Sequence, residues 1–62
     1  MTFSLETQIA EVNLEIKKRR EVYARLVSTG KMSEAAMDYK LAAMSAVRET
    51  LAELQAQRAA AH

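Results

Sequence analysis

Residues 28–34 read Ser28-Thr29-Gly30-Lys31-Met32-Ser33-Glu34, and this stretch decides the fold. It holds the only glycine among 62 residues, and the chain has no proline. Glycine enters the left-handed backbone region without a Cβ clash, so Gly30 stands where a helix C-terminus wants such a residue. Ser33 can cap a new helix, because its hydroxyl can accept from one of the first, unpaired backbone N–H groups. Glu34 follows at the positive end of the helix dipole. Met32 and Met37 occupy the two positions of a hydrophobic staple, which sets the angle at which the chain enters the second helix. The stretch reads as a helix end, a link of Lys31 and Met32, and a helix start.

Toward the N-terminus, Leu5, Ile9, Val12, Ile16, Tyr23 and Leu26 recur in alternating steps of four and three, if Arg19 is counted between Ile16 and Tyr23. That is a heptad seam. Ser4 is the N-cap that starts it, with Glu6 in the first turn. Toward the C-terminus, Met37, Met44, Val47, Leu51 and Leu54 form a second seam, with Lys40 and Arg58 also on it and Leu41 at its flank. A short turn makes the helices antiparallel neighbours. Folding at the turn sets Leu26 opposite Met37, Ile16 opposite Val47, Val12 opposite Leu51 and Ile9 opposite Leu54. The expected fold is all-α: a two-helix hairpin over about 4–29 and 33–60, forming one domain over 1–62.

Composition agrees. Half of the residues are apolar, 27% are charged, and good helix formers dominate. Two helices along one seam make a poor core, and so short a chain usually needs a disulfide, a metal or a partner. The chain has no cysteine, which excludes disulfides and thiolate metal sites, and its single histidine is His62. Association is the supplement left. Phe3, Ala10 and Leu14 form an apolar line on the outer side of the first helix. Ala36, Ala43 and Val47 flank the second seam, and small residues there would admit another helix closely. We therefore expect an antiparallel homodimer forming a four-helix bundle. Its core and interface would comprise Leu5, Ile9, Val12, Ile16, Leu26, Met37, Leu41, Met44, Val47, Leu51 and Leu54.

Charge is uneven. Residues 1–16 carry −3, residues 17–31 carry +5, and residues 32–62 carry −1. The basic segment holds Lys17, Lys18, Arg19, Arg20, Arg25 and Lys31 against Glu21. With Tyr23, these side chains are the candidates for contact with another protein or with nucleic acid. Basic clusters can mark nucleic-acid binding, with Tyr23 or Tyr39 stacking on a base. Against that stand a net charge of only +1 and the preference of cations for the C-terminal half of a helix. Glu15 and Arg19, and Glu21 and Arg25, have the four-residue spacing that favours ion pairs. A solvated, dipole-matched face is the stronger reading, and nucleic acid the alternative. Arg19 is set apart by its place on the seam. There it either snorkels, fixes register, or opens a groove with Met37 and Met44.

No catalytic constellation emerges. Glu11 with Glu15, Glu34 with Asp38, and Glu49 with Glu53 each share a helix face, but on outer surfaces, where pKa shifts are small. Ser28, Ser33 and Ser45 lack a histidine base, and no glycine-rich loop cradles phosphate. We expect no enzymatic activity, no cofactor and no metal. No apolar run approaches the ~20 residues of a membrane span. The N-terminus carries acids where a secretory signal is basic, so a cytoplasmic protein without membrane contact is expected.

The segments Arg20-Glu21-Val22-Tyr23-Ala24-Arg25-Leu26-Val27, Gly30-Lys31-Met32-Ser33 and Met44-Ser45-Ala46-Val47 resemble short bacterial helical-hairpin proteins encoded among prophage genes. The likeness extends from Glu11 to Leu54. It implies a phage-associated origin and supplies no activity or site residues. The leading expectation is a protein-binding accessory or inhibitor.

Overall fold

Ser4 and Ser33 each begin a helix. The computed structural model describes residues 2–61, whose regular structure is α1, Leu5–Ser28, and α2, Glu34–Ala60. Both serines have extended backbones, and each side chain accepts from the N–H three residues on, Thr7 or Ala36, at 3.1 Å. Such a cap stabilises a helix by about 1 kcal/mol. At the N-terminus, Gln8 Nε2 also donates to the Phe3 carbonyl at 3.0 Å, tying the leading residues down.

α1 ends as its glycine demands. Gly30 has φ 75°, and it is the one positive φ among the described residues. Its N–H donates to the Val27 carbonyl at 3.1 Å, and the Lys31 N–H donates to Leu26 at 2.8 Å. This nested pair is the Schellman motif, which satisfies carbonyls that the helix leaves open. A Cβ placed on Gly30 would meet nothing within 4 Å. The restriction to glycine is therefore a matter of backbone conformation and not of space. Gly30→Val should lower stability by roughly 1–2 kcal/mol, and Gly30→Asn should recover part of that loss. Urea unfolding at one fixed protein concentration checks this. Equal midpoints for Gly30→Val and the parent chain would remove the turn from the list of stabilising features.

The hairpin is a rod of 50 × 21 × 15 Å. Of the described residues only Ile16 is buried, at 3% exposure. Around it lies a half-buried seam: Leu5, Ile9, Val12, Tyr23, Leu26 and Val27 from α1, and Met37, Leu41, Met44 and Leu51 from α2. Met32 and Met37 are both half-buried at the start of α2. The α1 seam follows the sequence pattern, but the α2 seam is rotated from it. Lys40 and Arg58 are exposed, and Val47 and Leu54, expected in the core, are 46% and 37% exposed. Leu41, expected at the flank, takes an inner position, and so does Ser45. The cause is that α2 carries two apolar stripes. Met37, Leu41, Met44 and Leu51 form one, and Ala36, Ala43, Val47 and Leu54 form the other. A single neighbouring helix can cover only one stripe, and the one with the larger side chains near the turn is covered. The seam then runs in steps of four and three through Met37, Leu41, Met44, Arg48 and Leu51. Arg48 Nη1 donates across the helices to Asn13 Oδ1 at 3.3 Å.

Candidate functional site

Near the free ends of the helices, an open groove of about 600 Å³ runs along one broad face. Val12 and Leu51 lie along it, one from each helix, as their opposed positions on the hairpin require. Val47 and Phe3 extend the apolar lining, and Thr7, Gln8 and Glu11 form its polar margin on α1. Phe3 precedes α1 and lines this groove, so it does not join Ala10 and Leu14 in an outer line. Leu14 stands exposed at 45%, roughly opposite the seam. The groove runs from Phe3 to Val47, on the free-end side of the Met37 and Met44 stretch that the sequence offered as a possible groove.

Arg19 does not open the core. Its Nε donates to Glu15 Oε1 at 2.9 Å, with the two side chains 42% and 45% exposed. That hydrogen bond raises the guanidinium pKa above its usual value, opposed by the smaller effect of partial burial. The stem lies along the seam while the charged head meets a carboxylate of its own helix, which is the snorkelling arrangement. Glu15, expected on an outer surface, is thus half-buried and engaged. This is the one ion pair among the described residues, and Glu21 does not pair with Arg25.

The other basic candidates are all exposed: Lys17, Lys18, Arg20, Arg25 and Lys31. None makes an ion pair. At 3.6 residues per turn, Lys17, Lys18 and Arg20 point to different sides of α1 rather than to one stripe. Tyr23 is half-buried, whereas Tyr39 on α2 is 77% exposed. Among the described residues, no three histidine, cysteine, aspartate or glutamate side chains lie close enough to hold a metal ion. No described helix is long and apolar enough to cross a membrane.

The fold and the groove define a helical hairpin with an open apolar face. Comparison with protein-family models, curated proteins and solved structures finds no match to this chain.

Proposed function

We propose that this chain is a non-enzymatic protein–protein interaction module whose first partner is a second copy of itself. The observation that carries this is surface area. The chain exposes 4912 Å². A compact protein of 6.9 kDa exposes about 4,000 Å² by the usual scaling of surface with mass. The excess, roughly 900 Å², is close to the ~800 Å² per partner of a standard stable interface. Much of it is apolar: Val22, Val47 and Leu54 are each more than a third exposed along one broad face. Two such faces brought together would make a four-helix bundle with the core that one hairpin lacks. The resemblance to prophage proteins extends the proposal to an accessory or inhibitor protein of that origin, acting in the cytoplasm.

Sedimentation equilibrium over a hundredfold concentration range, with circular dichroism on the same samples, tests self-association. A helical dimer is the expected result, with a melting temperature that rises with protein concentration by mass action. A stable helical monomer at every concentration would overturn the homodimer. The second reading is a nucleic-acid binder, favoured by the five exposed cations without an ion pair. Release of phosphate counterions makes such binding fall steeply with salt. Absence of any binding to a duplex or single strand at low salt would eliminate it.

A further inference from the structure

We propose that the second copy seats on the face bearing Val22, Ala43, Val47, Leu51 and Leu54, and that it runs in the opposite direction. The turn half of each hairpin then lies against the free half of the other. This rests on the self-association proposed above and specifies its face and its polarity.

The face is defined by helix geometry. On α2, Ala36, Lys40, Ala43, Val47, Leu51 and Leu54 fall within an arc of about 80°. On α1, Val22 lies eleven residues beyond Glu11, which is three turns and about 20°. It therefore continues the line of the groove-lining Glu11 and Gln8 toward the turn. Val22, Val47 and Leu54 are exposed at 44%, 46% and 37% in the single chain, and Leu51 is half-covered. Ala36 and Ala43 add no bulk between them, so a second pair of helices can approach closely. The opposite side offers much less. Leu14 stands there among Lys17 and Glu21, with Ala10 as its apolar neighbour.

Charge selects the polarity. The turn half of the hairpin, residues 17–46, has seven basic side chains against Glu21, Glu34 and Asp38, a net +4. The free half, residues 1–16 and 47–62, has Glu6, Glu11, Glu15, Glu49 and Glu53 against Arg48 and Arg58, a net −3. A parallel dimer would place +4 on +4 and −3 on −3. An antiparallel dimer places each beside its opposite, and complementary potentials of this kind fix register and suppress the wrong arrangement. The rim of the face repeats the pattern. On the α1 side Glu11 and Glu15 lie along its free half and Lys18 and Arg25 along its turn half, and Lys40 stands within the α2 arc of the turn half. Val47 lies level with Ile16, near the middle of the rod, so a two-fold axis across the rod passes close to it. About that axis α1 lies over α1 and α2 over α2, so Glu15 approaches Lys18 of the second copy, and Leu54 approaches its Lys40.

Because the chain contains no cysteine, single cysteines report the arrangement directly. A disulfide needs Cα atoms about 4.4–6.8 Å apart. Val47→Cys should cross-link to itself on mild oxidation with diamide. Leu54→Cys should not, because each copy lies seven residues from the axis, placing the two sulfurs roughly 20 Å apart. Equimolar Leu54→Cys and Lys40→Cys should give a mixed disulfide that neither gives alone. Efficient self-linking of Leu54→Cys would overturn the polarity. A dimer in sedimentation that yields no Val47 link and no mixed link would overturn the face while leaving self-association standing. A monomer in sedimentation would remove both. As a second measure, Lys18→Glu, which leaves the Glu15–Arg19 hydrogen bond in place, should weaken the dimer about two- to fivefold per rim pair. A dimer constant equal to the parent's would overturn the electrostatic basis of the polarity.

Discussion

Replacing Ile16 with aspartate is expected to abolish the cooperative unfolding transition and most of the helical signal. Ile16 is 3% exposed, and every other described side chain keeps substantial contact with water. A chain of 62 residues has a stability of roughly 3–9 kcal/mol by the usual per-residue range. Truncating a buried isoleucine to alanine alone costs about 2–5 kcal/mol. Aspartate adds the desolvation of a charge with no partner at that level of the seam. Arg48, which reaches across the helices, already donates to Asn13 Oδ1 at 3.3 Å. Neither helix has enough other burial to survive alone, because helices in proteins draw most of their stability from the face they pack. Circular dichroism against temperature, at the parent's concentration, measures the effect. A sharp melt within a few degrees of the parent's would mean that Ile16 is not the pivot of the hairpin.

How far such predictions were legible in the sequence differs along the chain. The turn was fully legible. Serine caps and a glycine at the C-terminal position act over three or four residues, and local chemistry of that kind survives any tertiary arrangement. Helix bounds followed within a residue or so: Leu5–Ser28 and Glu34–Ala60 against about 4–29 and 33–60. The α1 seam was legible because a single apolar stripe leaves one choice. The α2 seam was not, because Leu41 and Val47 belong to different stripes and periodicity alone cannot say which meets α1. The outcome depends on how two rods pack, which is a property of the pair. Arg48 was unreadable for a related reason. A charged residue at a seam position is passed over in an apolar pattern, yet its long side chain reaches Asn13 across the interface. The groove near the free ends was not legible in the helical pattern. Its actual place follows from Phe3, whose position before α1 no helical periodicity describes.

Leu51→Asp should both dissociate the protein and lower its helicity, whereas Leu14→Asp should do neither. Both residues are leucines that a helical wheel leaves partly uncovered, so the contrast depends on side and not on chemistry. Leu51 is half-buried on the hairpin seam and lines the groove beside Val12 and Val47. Its side chain is shared between the partner helix of its own chain and the open face. A carboxylate there is desolvated against Val12 and, in the proposed four-helix bundle, against the second copy as well. Loss of a half-buried leucine costs less than the ~2–5 kcal/mol of a buried one before the charge is counted, and in the proposed symmetric dimer the loss occurs twice. Leu14 is 45% exposed on the side away from α2, and polar substitution at such a site falls within about 0.5 kcal/mol. Sedimentation and circular dichroism on the two variants separate the cases. If Leu14→Asp dissociates the chain and Leu51→Asp does not, association uses the outer side of α1. If Leu51→Asp leaves helicity intact but removes the dimer, the hairpin holds together without Leu51, and that residue belongs to the interface more than to the seam.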